Sequence, residues 1–206
     1  MNFQVNEVRQ WIELTNEKIQ RNKEYLTELD QAIGDGDHGI NMARGFQEVV
    51  NKTSSSEYTS VSDILKDVAM TLMSKVGGAS GPLYGTAFLK MSMALKDKDV
   101  VDYNSLVLAI DQALQGIIQR GKANEREKTL VDVWAPVVKF LQDRTTFHAD
   151  KLIQVAEKAM DDTKDLMAIK GRAAYLKERS IGHLDPGSVS SYYLFQSLGE
   201  AIKGGS

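Results

Sequence analysis

The chain has 206 residues, 42% of them hydrophobic and 26% charged, with a formal net charge of −3 and no cysteine. That length buries a sizeable core, and the near-balanced charge gives no electrostatic footprint for nucleic acid or an anionic membrane surface. Disulfides and thiolate metal sites are excluded. The opening "MNFQVNEVRQWIEL" lacks the basic and apolar regions of a secretory signal. No apolar run approaches the ~18 residues of a membrane helix, so the expectation is a cytoplasmic protein.

In the first thirty residues Val5, Ile12, Ile19 and Leu26 recur every seven, with Val8, Trp11 and Leu29 beside them, which predicts one amphipathic helix. A short second helix is expected from about Gly39 to Asn51. Val61, Ile64, Leu65, Val68 and Leu72 mark a third, and Leu83, Phe88, Met91 and Leu95 a fourth. Leu106, Ile110, Ala113, Leu114 and Ile117 give a fifth; Val133, Val137, Phe140 and Leu141 give a sixth. The seventh spans Leu152 to Met167, and Val189, Tyr193, Leu198 and Ile202 mark the last. No alternating strand or hairpin dipeptide stands out. The expectation is an all-α fold, one domain over residues 1–206.

The glycines divide the connections into two sets. Gly34, Gly36 and Gly39 lie between helices one and two, and Gly77, Gly78 and Gly81 between three and four. Gly121 follows helix five, where it reads as a helix C-cap, and Gly171, Gly182 and Gly187 lie between seven and eight. The connections "NKTSSSEYTS", "KDKDVVDYN" and "DRTTFHAD" contain none. In an up-and-down antiparallel array every second connection lies at the same end. The glycine-rich loops are therefore expected to share one rim.

The first of these loops, within "ELDQAIGDGDHGINMARGF", sets Asp30, Asp35 and Asp37 just ahead of a helix start. Hard oxygen donors at irregular spacing suit Mg²⁺ or Ca²⁺; an EF-hand fails, because the twelfth position counted from Asp35 is Phe46. "HGIN" then opens a helix whose free N–H groups favour an anion. Carboxylates and phosphates side by side repel by roughly 4 kcal/mol per pair at ~4 Å and effective dielectric ~20, so a cation must lie between them. The bland alternative is a solvated turn whose aspartates cap a helix. "KVGGASGPLYGTAF" adds a second glycine-rich helix start with Ser80, though it is no Walker A loop. "GIIQRGKA" reads GxxxxGK but ends in Ala and follows a helix. Arg172, Arg179 and the turn Asp185-Pro186-Gly187-Ser188 contribute a phosphate-compatible guanidinium and a rigid edge. His38, His148 and His183 have no nearby partner and read as hydrogen-bonded scaffold, Trp11 and Trp134 as core.

"LDQAIGDGDHGINMARGF", "GGASGPLYGTAF", "KTLVDVWAPV" and "GRAAYLKERSIGHLDPGSVSSYYLF", in this order, resemble the L subunits of dihydroxyacetone kinases almost end to end. The resemblance implies an eight-helix up-and-down antiparallel barrel with a nucleotide site at one end. It implies that Asp30, Asp35 and Asp37 hold two Mg²⁺ ions bridging the phosphates of ADP or ATP. It further implies that His38, Gly39, Ile40, Asn41, Ala79 and Ser80 line the phosphates and neighbouring atoms. Gly121, Leu130, Arg172, Asp185, Pro186 and Gly187 would complete the nucleotide site. Fatty-acid-kinase relatives of this fold usually carry Thr after DGD, and His38 favours the dihydroxyacetone branch.

The activity implied is phosphoryl transfer to dihydroxyacetone held on a separate K subunit. In the type that relies on phosphoenolpyruvate and the phosphotransferase system, ADP stays bound as a coenzyme and an M subunit rephosphorylates it. The chain's length, without a fused K-like domain, favours that type. Two other readings remain open: a free-standing kinase that exchanges ATP, and a nucleotide-sensing module that binds a transcriptional regulator.

Overall fold

The computed structural model describes residues 3–98 and 100–204. Asp99, in the charged connection, and the extreme termini of the expected 1–206 domain lie outside the described residues. Nine α-helices run along the described chain: α1 Val5–Arg21, α2 Lys23–Ile33, α3 His38–Ser54, α4 Val61–Lys75, α5 Ser80–Ala94, α6 Tyr103–Gly121, α7 Val131–Gln142, α8 Ala149–Asp162 and α9 Pro186–Gly204. Among the described residues the only strand-like feature is an isolated antiparallel bridge between Phe3 and Val101. None of the helices is long and apolar enough to cross a membrane.

The starts of these helices follow local chemistry. Gln4 donates its amide to Glu7 at 2.8 Å in a capping box ahead of α1. Ser60 accepts the Asp63 amide at 3.1 Å ahead of α4, and Asp102 accepts the Ser105 amide at 2.8 Å ahead of α6. Three boundaries differ from the periodicity. The first helix breaks at Asn22, whose side-chain amide donates to the Lys18 carbonyl at 2.8 Å and competes with the helical ladder. The seventh ends at Asp162 rather than Met167, because Thr163–Asp165 tightens into a 3₁₀ turn and Leu166 turns extended. Gly121 is the last residue of α6 and not its cap; the left-handed position falls on Lys122, at φ 50°.

Each helix packs on its chain neighbours, α3 on α1, α4 on α3, and so on to α9 on α8; α9 then packs on α1 and closes the ring. With α1 and α2 as one interrupted stave, this is an eight-stave up-and-down barrel. α4 and α5 lie especially close: a Cβ on Gly85 would crowd Met73 and the Ala69 carbonyl. The interior is continuous, with Trp11 5.3 Å from Phe88 and Trp134 edge-on to Phe195 at 4.8 Å. Both indole N–H groups are satisfied by α9, at the Leu194 carbonyl and the Ser191 hydroxyl.

The glycine-free connections gather at one end. Arg9 donates to the carbonyls of Thr53 and Ser56 in the serine-rich connection, and Phe3 bridges the 95–102 connection. Lys203 at the end of α9 pairs with Asp150 at the start of α8 at 2.9 Å. The opposite end is left to the glycine-bearing loops. Phe88 is fully buried where α5 meets Trp11. Phe88→Ala is expected to lower stability by about 3–5 kcal/mol, with a melting temperature about 10 °C lower on calorimetry.

Candidate functional site

The loops after α2, α4 and α6 and the segment between α8 and α9 meet around a cavity of about 750 Å³. The acidic corner is built on Asp30 in the last turn of α2. Its Oδ2 accepts the main-chain amides of Asp37 at 2.9 Å and His38 at 3.1 Å, and only 8% of the residue is exposed. A side chain at Gly34 would collide with Asp30 Oδ1, and Gly36 turns the loop at φ 75°. This fold-back brings one carboxylate oxygen from each of Asp30, Asp35 and Asp37 within 4.8 Å of the others.

Three acidic groups so close together need cations. Arg172 supplies one, its Nε 2.8 Å from Asp35 Oδ2, although both side chains are partly exposed and the pair is worth little alone. The donor set of three hard carboxylates fits Mg²⁺, which takes few protein oxygens and completes its shell with water and phosphate.

Two helix N-termini face the same space. Neither Asp37 ahead of α3 nor Ala79 ahead of α5 makes a side-chain capping bond. The first amide of α3, from His38, is taken by Asp30, but the Gly39 and Ile40 amides that follow it and those of Ser80 and Gly81 in α5 are available to an anion. His38 is buried between them, its Nδ1 3.1 Å from Ser80 Oγ and its Nε2 3.0 Å from Ser190 Oγ. Burial pushes the His38 ring down to about 4, so it is neutral at pH 7 and serves as scaffold, as its isolation in the sequence suggests. From Ser190 the contacts continue to Tyr84, Ser191 and Trp134, all buried. Asn41 reaches toward Gly77 and accepts from Arg44 at 2.8 Å; Arg44 also donates to the Lys75 carbonyl.

The lining also has an apolar part, beside Arg120 and Thr129. Pro82, Leu83, Ile117, Gly121 and Leu130 line it. Asp185 closes it, accepting the Ser188 amide at 2.7 Å as the cap of α9, with Pro186 as the first residue of that helix. Gly187 sits over Leu130 and Asp185. Burial pushes the Asp185 carboxyl up to about 7, against its bonds to Ser188 and the nearby Lys128 ammonium.

Of the residues expected from sequence, the cavity wall includes Asp30, Asp35, Asp37, His38 and Asn41, with Ala79, Ser80, Gly121 and Leu130. Arg172, Asp185, Pro186 and Gly187 stand in it as well. Gly39 and Ile40 do not present side chains to the cavity: a Cβ on Gly39 would meet the Lys23 carbonyl of α2, and the Ile40 side chain is 53% exposed, so what they can offer is their main-chain amides in the first turn of α3. Sequence reasoning passed over Lys128 and Asp132. Both lie in the motif "KTLVDVWAPV", where the sequence alone assigns neither a role, yet each is under a tenth exposed. Asp132 accepts the amides of Arg126 and Thr129 and orders the turn into α7.

His38 and Asp185 tilt the pH dependence of folding in opposite directions. The His38 pKa falls from 6.5 to about 4 on folding, so its contribution is lost as pH drops from about 6.5 to 4. The Asp185 pKa rises from 3.8 to about 7, so its contribution is lost as pH climbs from about 4 to 7. At about 1.36 kcal/mol per pKa unit, the His38 shift is worth about 3 kcal/mol and the Asp185 shift about 4 kcal/mol. In urea titrations of metal- and nucleotide-free protein, Asp185→Asn is expected to steepen the rise of stability from pH 4 to 6.5. His38→Gln is expected to turn the profile downward from pH 4 to 7.

Residues 32–200 match the DAK2 domain family. The chain is 52% identical over 188 residues to the PEP-dependent dihydroxyacetone kinase 1, ADP-binding subunit DhaL, of Listeria innocua serovar 6a, covering 91% of this chain and 92% of that one. It is 52% identical over 193 residues to the PTS-dependent dihydroxyacetone kinase, ADP-binding subunit DhaL, of Lactococcus lactis subsp. lactis, covering 94% and 95%. To the corresponding PEP-dependent subunit of Escherichia coli it is 39% identical over 209 residues, covering 98% and 100%. The dihydroxyacetone kinase of C. freundii, solved with AMP-PNP and Mg²⁺, superposes with a TM-score of 0.74 at 21% identity over 94% of this chain. This chain spans 33% of that longer one, and the likeness is one of fold. By its motif order, its barrel and these matches, the chain belongs to the DAK2 domain family.

Proposed function

We propose that this chain is the nucleotide-binding subunit of a dihydroxyacetone kinase, with ADP as a resident coenzyme. The observation that carries the reading is the meeting of three carboxylates with two helix N-termini that their own N-cap side chains leave free, around a cavity that also has apolar lining. The apolar lining suits a nucleobase, and the polar lining suits phosphates.

In this reading Asp30, Asp35 and Asp37 hold two Mg²⁺ ions. Bound there, the ions supply Lewis-acid charge neutralisation for phosphoryl transfer. The chain's own residues do the positioning. The main-chain amides of Gly39 and Ile40 in α3 and of Ser80 and Gly81 in α5, with the Ser80 hydroxyl and Asn41, hold phosphate oxygens in place. Arg172, freed from Asp35, offers a guanidinium to the same anion. His38 stays neutral and fixes Ser80, while Leu130, Gly121 and the Asp185–Gly187 turn seat the nucleoside.

Phosphoryl transfer asks mainly for alignment and charge neutralisation, which this arrangement provides. Dihydroxyacetone would be presented by a separate K subunit, and an M subunit of the phosphotransferase system would rephosphorylate ADP in place. The full-length relatives named as PEP- or PTS-dependent ADP-binding subunits support this type over an ATP-exchanging kinase.

Protein purified with Mg²⁺ and gel-filtered extensively is expected to release about one ADP per chain on denaturation. EDTA, or the pair Asp35→Ala and Asp37→Ala, is expected to cut that to below about a tenth. Rapid replacement of bound ADP by labelled ATP during steady turnover would instead identify an exchanging kinase.

A further inference from the structure

The segment between α8 and α9 forms a strap along one edge of the cavity. It contributes Lys170, Gly171, Arg172 and Ala173 to the wall. Beneath it Ala168, Ala173 and Leu176 form a small apolar cluster with Ile33 of α2, separate from the main core. A satellite cluster of this size holds a segment weakly, so the strap's position depends on its polar ties.

Arg172 pairs with Asp35 at 2.8 Å and the Ile169 amide donates to the Glu127 carbonyl at 3.2 Å, and three further ties converge on one buried side chain. Lys128 is 1% exposed and sits at φ 60° in the turn before α7. Its ammonium donates to the carbonyls of Thr163 at 2.7 Å, Leu166 at 3.0 Å and His183 at 2.5 Å. These carbonyls belong to the two ends of the strap: Thr163 and Leu166 where it leaves α8, His183 where it enters α9. An ammonium has three N–H donors and no acceptor, so three carbonyls meet its full capacity. The carboxylates of Asp132, Asp165 and Asp185 surround it and offset its charge. Further bonds draw the strap's ends together, Gly182 to Lys164 at 2.8 Å and Ala168 to Ser180 at 2.8 Å. Among the described residues Lys128 is the side chain that joins both ends to the α6–α7 connection, whose Leu130 lines the cavity.

We propose that Lys128 is a positioning residue that sets how long nucleotide remains bound, by pinning both ends of the 163–185 strap against the cavity. This rests on the nucleotide-binding reading above. The ammonium holds the strap shut, and ADP leaves when the three bonds open together.

The absence of cysteine allows a chemical test. Lys128→Cys is made and the unfolded chain is alkylated with bromoethylamine, which rebuilds a lysine-like ammonium, or with iodoacetamide, which adds a neutral group. Each product is refolded and loaded with Mg²⁺ and a fluorescent ADP. The unmodified and carbamidomethyl proteins are expected to release ADP at least about tenfold faster than the parent. The aminoethyl protein is expected to return to within about threefold of it. Equal release from Lys128→Cys and the parent, or equal rescue by both adducts, overturns the proposal. A parent that binds no ADP at all overturns the nucleotide reading instead. If the variant does not refold, hydrogen exchange on the ADP-loaded parent decides. Amides 164–183 are expected to open together at the rate ADP leaves, and ADP release faster than that opening overturns the proposal.

Discussion

One carboxylate oxygen organises the acidic end of the barrel. Asp30 Oδ2 accepts the amides of Asp37 and His38, and so joins the last turn of α2 to the first turn of α3. The fold-back puts Asp35 and Asp37 beside Asp30, takes up the first amide of α3, and leaves the Asp37 side chain without a capping bond to the amides that follow. Buried carboxylates are tolerated where hydrogen bonds satisfy them, and these two amides do so while the remaining oxygen stays available to a ligand. The like charges that result repel, so the loop is built for a cation it does not itself supply.

The barrel turns that local device into a site. Because the staves alternate in direction, the connections after α2, α4 and α6 and the strap before α9 reach the same end. The buried contacts from Ser80 through His38 and Ser190 to Tyr84 join α5, α3 and α9, so the two phosphate-facing helix starts and the Asp185–Gly187 turn share one rigid support. Desolvated hydroxyl networks of this kind hold a single geometry when every member is partnered. Rigidity there and weak anchoring at the strap give a cavity with a fixed floor and a movable edge.

Much of this was legible in the sequence because it rests on period and punctuation. The seven-residue recurrence from Val5 to Leu26 and the uneven distribution of glycines among loops carry the stave count and the shared rim. The residues that escaped notice are those whose role depends on partners far along the chain. Lys128 looks like one more solvated lysine until the strap's two ends close around it. Asn22 interrupts a helix by a bond to its own preceding turn, which no apolar period records. Gly121 sits inside α6 and leaves the left-handed turn to Lys122, since its place against Leu83 asks for a small residue within the helix. Gly39 and Ile40 share the motif of His38 and Asn41, but the helical turn of α3 points their side-chain positions away from the cavity and leaves only their main-chain amides to it.

The most direct measurement is Mn²⁺ binding followed by electron paramagnetic resonance, with and without ADP. If the three carboxylates bind phosphate through divalent metal, the account predicts two spin-coupled Mn²⁺ ions per chain with ADP present, and weak or no binding without it. Tight ADP binding in EDTA, or Mn²⁺ binding that ignores ADP and survives replacement of Asp35 and Asp37 by Ala, would contradict it.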